Sequence, residues 1–366
     1  MGFLEQFVMI AIEEQGLSAV ALAGVLGWPV HVLMRFFTKG EIEFEKAVTL
    51  FRHVHCDKWY ELMDEYCLSV TNSADILHAF EYASAYNRPH VTDRLLQIHS
   101  DRNDISHWRY LYRVERMRHA YTLDDALDVV RELTGKEEMK VKVLLLKTQL
   151  YAENGDLTTA GAIAKKAVIK MNKLSDSFMR KSLKMRANCL LAESKLFVED
   201  ETEEALAYAN KVIDSPFAPV RMVAASMRVK GLSYMYTSYN KSISYIEEAV
   251  RLYEYAGEMH MAEKMMKEDL ARVKNVHQQI FEEAGLEGEE LAHQYIVRGE
   301  KDRALNIIRT LRTQSPYARL YRSWIENNID GVIQSQHYFA KHQRAFDSRL
   351  CTKVLRGLCD KSSTAQ

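Results

Sequence analysis

Apolar residues recur along the chain every three to four positions, the period of an amphipathic α-helix, and strand-like alternation is absent. The pattern predicts helices joined by short turns, among them residues 57–70, 73–87, 104–120, 122–134, 137–153, 157–172 and 176–198. All five prolines fall between these apolar-periodic segments, where a helical chain tolerates proline. The sequence therefore predicts an all-α protein.

Four segments share one plan, in which bulky residues and a polar turn precede a small residue on a second helix. They are LYAENGDLTTAGAIAKKA, LFVEDETEEALAYANKV, MYTSYNKSISYIEEAV and YIVRGEKDRALNIIRTL, with Ala160, Ala205, Ile243 and Ala304 aligned. Their spacing is uneven and longer than the tetratricopeptide period of about 34 residues. Because a small residue lets paired helices approach closely, such hairpins stack. We expect a superhelical solenoid of degenerate tetratricopeptide-like hairpins, with a concave groove suited to a peptide.

The stretch ALAGVLGWPVHVLMRFF, residues 21–37, has the pattern of a helix-turn-helix. Ala23 is the small residue of the first helix, and Gly27, four positions later, is the positive-φ residue of the turn. The inward-facing residues are expected to be Leu22, Leu26, Trp28, Leu33 and Phe36, and the outward-facing ones Pro29, Val30, His31, Met34, Arg35 and Thr38. The candidate DNA contacts are His31, Arg35, Thr38, Lys39 and Lys46.

Charge leaves two interpretations of this N-terminal segment open. The formal net charge of the chain is -1, so any contact with nucleic acid must be local. Residues 1–60 carry five basic and seven acidic side chains, which is not typical of a DNA-binding domain, and a dimer would be needed to double the contacts. The alternative is a peptide-regulated scaffold that binds another protein and no DNA.

Composition argues against several other classes of protein. The five cysteines (Cys56, Cys67, Cys189, Cys351 and Cys359) form no CxxC pair, which favours reduced thiols in a cytoplasmic protein. No second cluster completes a metal site with residues 53–56, and no cofactor motif or nucleophile with a base is found. No segment is long and apolar enough to span a membrane. We therefore expect no metal, no cofactor, no membrane partner and no enzymatic activity.

A basic stretch from Lys165 to Lys230 contains the candidate ligand site. Arg221, Ala225, Arg228 and Leu232 fall on one face of a helix. Guanidinium groups beside small and apolar residues suit a groove that holds a peptide carboxylate, although a solvated basic surface is the alternative. The same stretch includes Arg180, and Glu193, Glu289 and Glu290 offer the opposite charge for a basic ligand side chain.

The last helix has an apolar stripe of Leu350, Val354, Leu355 and Leu358. Its partner is either the preceding repeat or a second subunit.

Three blocks follow the predicted head in order: YELMDEYCLSV (60–70), VRMVAASMRVKGLSYMYTSYN (220–240) and EELAHQYIVRGEKDRALNIIRTL (289–311). With these blocks the chain resembles the AimR family of arbitrium receptors from temperate Bacillus phages, which combine a helix-turn-helix head with a tetratricopeptide body. The resemblance implies a DNA-binding domain at residues 1–56 and a peptide-sensing domain at residues 57–366, with dimerisation helices at about residues 330–366.

The resemblance also implies a function. A homodimer in the host bacterial cytoplasm would bind double-stranded operator DNA and activate transcription of a negative regulator of lysogeny. A short linear signalling peptide of about six residues would bind in the solenoid groove, stop activation and allow lysogeny.

The family motifs imply roles for individual residues. Arg221, ten residues before Gly231, and Glu290, just before the Ala-His pair, match family residues that line the peptide pocket. Glu193 and Leu232 stand where the family has asparagines, so the resemblance implies a different peptide. Dimerisation in the family uses the C-terminal helices, which here carry the stripe that ends at Leu358.

Overall fold

The computed structural model describes residues 2–54, 59–131, 133, 135–282, 284–311 and 315–364, with side chains described up to residue 360. Within these ranges every regular element is a helix, so the all-α prediction is confirmed. The chain forms two compact units, one of residues 1–150 and 166–186 and the other of residues 151–165 and 187–366. Cys56 and the predicted domain boundary at residue 56 lie outside the described residues, and the functional division at that boundary stays a prediction.

The helices follow the predicted periodicity closely. The first ten are α1 (Phe3–Glu14), α2 (Ala19–Leu26), α3 (Val30–Lys39), α4 (Phe44–Val54), α5 (Trp59–Ser69), α6 (Ser73–Ala85), α7 (Pro89–Ile98), α8 (Ser106–Arg116), α9 (Leu123–Arg131) and α10 (Glu137–Glu153). Three helices contribute to both units: α10, through its last three residues, α11 (Leu157–Met171) and α12 (Phe178–Phe197). Each helix predicted between residues 57 and 198 is present, but the one predicted at 104–120 is α8 with a short 3₁₀ turn on either side. Positions 57, 58, 132 and 134 of the predicted helices lie outside the described residues.

The second unit continues with α13 (Thr202–Ile213), α14 (Val220–Ser233), α15 (Tyr239–Tyr255), α16 (Met259–Met265), α17 (Ala271–Val276), α18 (Gly288–Val297), α19 (Lys301–Thr310), α20 (Pro316–Ile325), α21 (Ile329–Lys341) and α22 (Ala345–Thr364). A π-helical turn, Met266–Leu270, joins α16 to α17. Such turns are rare and often occur at functional sites, so this one directs attention to its side chains.

The turn between α2 and α3 has the conformation that the sequence predicts. Ser18 begins α2 by accepting a hydrogen bond from the backbone N–H of Ala21, and Gly27 ends it with a φ of 67°, in the left-handed region that favours glycine. The residues predicted to face inward are buried (Leu22, Leu33 and Phe36) or half-buried (Leu26 and Trp28). The residues predicted to face outward, namely Pro29, Val30, His31, Met34, Arg35 and Thr38, are all exposed.

Close helix pairing in the second unit depends on small residues, as expected. Three of the aligned positions are buried alanines, Ala160, Ala205 and Ala304. The fourth, Ile243, is only half-buried, and α14 and α15 meet instead at Gly231. A Cβ atom on Gly231 would lie 2.7 Å from Ile246 Cγ1 and 3.1 Å from its backbone nitrogen, and Ser242 Oγ donates to the Gly231 carbonyl at 2.8 Å. This helical hairpin therefore requires glycine at position 231.

The basic stretch from Lys165 to Lys230 is not one solvated surface, because Arg186 lies inside the first unit. Its guanidinium pairs with Glu81 and Glu115, and Lys142 Nζ lies 2.7 Å from Glu81 and 2.8 Å from Glu115. Burial disfavours the charged forms of Glu81 and Glu115. The neighbouring cations of Lys142 and Arg186 nevertheless hold the pKa of each carboxyl below its ordinary value. The cluster has two charges of each sign and links α6, α8, α10 and α12 of this unit.

No single helix in the described ranges has both the length and the apolar composition needed to cross a membrane. The pair Phe3–Glu14 and Ala19–Leu26, bent by 90°, meets those two criteria only when taken together.

Candidate functional site

Arg228 on α14 is the centre of a half-buried charged cluster in the second unit. Its Nε donates to Asp269 Oδ2 at 2.6 Å and its Nη2 donates to Oδ1 at 3.2 Å, while Nη1 lies 3.9 Å from Glu193 Oε1. The guanidinium also lies over the Phe197 ring, 5.4 Å from its centroid. Helices α12 and α14 and the π-helical turn therefore converge on one cation.

The electrostatics of this cluster favour a cationic ligand group. Burial raises the pKa of Glu193, and while Arg228 opposes that rise, the carboxylate of Asp269 adds to it. The two carboxylates in turn keep the pKa of Arg228 above its ordinary value, despite burial. One guanidinium thus neutralises only one of two neighbouring carboxylates, and a ligand cation would stabilise the other.

A second hydrogen-bond network links α17, which follows the π-helical turn, to Glu290 of α18. Arg272 Nε donates to Glu290 Oε1 at 2.8 Å, and Asn275 Nδ2 donates to Glu290 Oε2 at 3.0 Å. Burial raises the pKa of Glu290, and the nearby Arg272 guanidinium opposes the rise. Glu290 is therefore held by protein partners, and a ligand would reach it only by displacing them.

A cavity of about 530 Å³ borders this network. Asp347 is the polar centre of its wall: it accepts hydrogen bonds from Tyr317 Oη at 2.6 Å and from Arg344 Nε at 2.7 Å. Arg272 Nη1 lies 3.9 Å from the same carboxylate. Residues 154–158 and Phe197 also line the cavity. Its volume is within the range of small-ligand pockets, about 300–1,000 Å³.

Four charged residues of this region were not predicted from the sequence: Asp269, Arg272, Arg344 and Asp347. Asp269 and Arg272 are three positions apart, which indicates a shared helical face, but this spacing is common on solvated helices. The π-helical turn has no periodicity signal of its own in a single sequence. Only the folded chain brings these residues to Arg228 and Glu290.

The other predicted peptide contacts lie in different surroundings. Arg221 is half-buried, with Nη1 3.7 Å from Glu258 Oε1, so Arg221, like Arg228, lies near a carboxylate of the protein and is partly exposed to solvent. Leu232 is buried in the core of the second unit and is out of reach of a ligand in this conformation. Arg180 is half-buried on the part of α12 that belongs to the first unit.

The predicted DNA contacts lie on or near α3. Four are exposed, His31, Arg35, Thr38 and Lys39, and Lys46 is half-buried. Arg35 Nε donates to Glu41 Oε2 at 2.6 Å, and Lys46 Nζ lies 3.0 Å from Glu43 Oε2. Two of these cations therefore already have acidic partners within the head, and those carboxylates would compete with DNA phosphates.

The C-terminal apolar stripe packs against its own chain. Leu350, Val354 and Leu358 are buried, and Leu355 is half-buried. They join a core cluster that includes Leu320, Val332 and Phe339 of α20 and α21. Of the two partners expected for the stripe, the structure shows the preceding helices, while its role in dimerisation stays a prediction.

Among the described residues, no group of three or more His, Cys, Asp or Glu side chains is arranged to hold a metal ion.

Comparison with known proteins identifies relatives of the chain. The model of the family described as AimR transcriptional regulator-like matches residues 59–356. A structure of selenomethionine-labelled phAimR superimposes with a TM-score of 0.75 at 18% identity, covering 97% of each chain. A structure of phAimR with a ligand superimposes with a TM-score of 0.70 at 17% identity, covering 87% of this chain and 98% of that one. These likenesses confirm the predicted fold of a helix-turn-helix head and a solenoid of helical hairpins. No curated protein matches the chain.

Proposed function

The chain belongs to the AimR transcriptional regulator-like family, and we propose that it is a phage transcription regulator of the lysis–lysogeny decision controlled by a short peptide. In this proposal a dimer in the host cytoplasm binds operator DNA through the head and activates transcription of a negative regulator of lysogeny. A linear peptide of about six residues binds in the second unit and stops activation. The protein acts as a regulator and not as an enzyme.

The observation that carries the proposal is a set of charged side chains in the second unit, three of which (Arg272, Arg344 and Asp347) line the 530 Å³ cavity. We call it the inner charged row, and its members are Glu193, Arg228, Asp269, Arg272, Glu290, Arg344 and Asp347. Four carboxylates face three guanidinium groups, which leaves an excess of negative charge. A peptide with a basic side chain would neutralise that excess, and its own carboxylate would find guanidinium partners.

The dimensions fit one end of such a peptide. Six extended residues span about 20 Å. A compact cavity of about 530 Å³ is shorter than this in every direction, so it can enclose only part of the peptide. The remainder of the peptide is therefore expected to follow the inner charged row toward Arg228 and Arg221.

Regulation sets a thermodynamic condition on this site. A ligand shifts an equilibrium only if it binds two conformations with different affinity. Arg228 and Arg272 form ion pairs with carboxylates on other helical segments. A peptide that replaces one of these carboxylates would change which segments are linked, and its affinity would then differ between the two conformations.

The test is a calorimetric titration of the full chain with six-residue peptides that differ only in carrying Arg, Ala or Glu at one position. We expect the Arg peptides to bind most tightly and the Glu peptides least. Arg221→Ala should weaken binding of the Arg peptides severely, while DNA affinity stays nearly unchanged. The matched control is Arg251→Ala, because Arg251 is exposed and pairs with Glu248, one turn away in α15.

A gel shift with DNA selected by the full chain from a random pool tests the other half of the proposal. Selective DNA binding by the head supports a transcription regulator. Peptide binding without any DNA shift would favour the scaffold that binds another protein. Absence of both activities contradicts the proposal.

A further inference from the structure

A separate cavity of about 230 Å³ lies beside α22 in the second unit. Its wall is mainly apolar: Leu350, Val354 and Leu358 come from α22, Val276 from α17 and Trp324 from α20. It shares no lining residue with the 530 Å³ cavity, so it is not part of the proposed peptide site.

His293 of α18 lines this apolar cavity and is fully buried. Its Nδ1 lies 3.3 Å from Tyr321 Oη, while its Nε2 has no hydrogen-bond partner among the described residues. Burial, with the nearby Arg272 and Lys353 cations, lowers the pKa of His293 to about 3, so the ring is neutral near pH 7. A buried polar atom without a partner is costly, and it marks a place for a ligand atom.

Lys353 of α22 adds a cation to the same wall. Its ammonium donates to the backbone carbonyl of Val276, which leaves two of its three protons for other acceptors. Partial burial lowers the pKa of Lys353, although the residue as a whole is exposed. The Gln278 side chain also lines the cavity, and the rest of the wall is apolar apart from Gly357. A cation and a neutral imidazole beside this apolar surface suit a ligand with an anionic head and a hydrocarbon tail.

We propose that this cavity binds a short aliphatic carboxylate. The carboxylate accepts hydrogen bonds from the Lys353 ammonium and from the Nε2–H of His293, and the tail packs against Leu350, Val354 and Leu358. This arrangement uses the His293 tautomer in which Nδ1 accepts a hydrogen bond from Tyr321 Oη, in agreement with their 3.3 Å separation.

The cavity volume limits the length of the ligand. A water molecule takes up about 30 Å³ in the liquid, so 230 Å³ accommodates about eight groups of that size. Hexanoate has about this many non-hydrogen atoms, whereas a ten-carbon acid would not fit. Hexanol has the same tail without the charge, and hexylamine has the wrong charge beside Lys353.

The experiment titrates the full chain with hexanoate, hexanol and hexylamine by calorimetry. We expect saturable binding of hexanoate, binding of hexanol weaker by about tenfold, since a charged hydrogen bond contributes this much, and no binding of hexylamine. Lys353→Met should weaken hexanoate binding by about tenfold and change hexanol binding by less than about twofold. Lys341→Met, at an exposed position on α21, is the matched control and should change neither.

A second variant fills the cavity without disturbing the core. Gly357 lines it, and a Cβ atom added there would have no atom within 4 Å, so Gly357→Leu should fold normally and abolish hexanoate binding. Unchanged hexanoate affinity in Gly357→Leu, equal affinity for hexanoate and hexanol, or no saturable heat with hexanoate would each overturn the proposal. The last result would mean that water alone occupies the cavity.

Discussion

Arg228 and Asp269 are joined by two hydrogen bonds, from Nε to Oδ2 at 2.6 Å and from Nη2 to Oδ1 at 3.2 Å. Asp269 is only 6% exposed, so Arg228 is its main compensation for lost hydration. The pair connects α14 to the π-helical turn between α16 and α17. Arg228 is therefore a structural residue as well as a proposed ligand contact.

Arg228→Ala should lower the free energy of unfolding by about 3 kcal/mol, because the substitution leaves the buried carboxylate of Asp269 without its cation. Urea unfolding followed by circular dichroism measures this loss. Adding Asp269→Asn to the variant should restore part of the stability, since the unpaired charge is then removed.

Arg251→Ala is the control for this prediction, because the exposed pair of Arg251 with Glu248 contributes at most about 1 kcal/mol. Equal losses in Arg228→Ala and Arg251→Ala would show that the Arg228–Asp269 pair behaves as a surface ion pair.

The same pair shows what a single sequence can predict and what it cannot. The outward face of α3 followed from local spacing, since residues three and four apart share a helical face. Arg228 and Asp269 are 41 positions apart. Their contact depends on how α14 packs beside the π-helical turn, and neither residue carries a local signal of the other.

Packing also decided features that periodicity left open. The stripe of α22 predicted that Leu350 and Val354 would be covered, but not whether α20 and α21 or a second subunit would cover them. Leu232 and Arg228 share a helical face by spacing, yet Leu232 is buried in the core while Arg228 is half-buried and pairs with Asp269 of the π-helical turn. Which part of a face meets the core depends on the neighbouring helices.

Gly231→Ala should destabilise the protein by about 2 kcal/mol, because the added methyl group overlaps Ile246 across the α14–α15 hairpin. Gly24→Ala is the matched control: its Cβ atom would meet no atom within 4 Å in α2, so stability should be unchanged or rise by up to about 1 kcal/mol. Thermal unfolding compares the two. Similar melting temperatures for both variants would mean that α15 can shift to accept the methyl group.

Glu41→Gln should increase the affinity of the head for its selected DNA by about two- to fivefold, because Arg35 is then released from a surface ion pair. Arg35→Ala should lower that affinity by about tenfold and leave peptide affinity unchanged. Gel shifts at several salt concentrations measure both effects. If neither variant alters the DNA affinity, Arg35 does not belong to the DNA-binding surface.

Stability between pH 7.5 and pH 5 should depend on His293. The pKa of this ring falls from its ordinary value of 6.5 to about 3 in the folded protein, so below pH 6.5 the unfolded chain binds a proton that the folded chain does not. Stability therefore falls as the pH drops from about 6.5, and at pH 5 the loss due to His293 is about 2 kcal/mol. His99 and His277, whose pKa values burial also lowers, shift stability in the same direction.

His293→Phe isolates this contribution, because the other histidines and all carboxylates are common to both proteins. Urea unfolding at pH 7.5 and pH 5 should show a smaller loss of stability for His293→Phe than for the original chain, by about 2 kcal/mol. The comparison uses the change between the two pH values, so the constant cost of depriving Tyr321 of its partner cancels. An equal change in both proteins would show that the folded chain protonates His293 as readily as the unfolded chain does, and that the ring is hydrated.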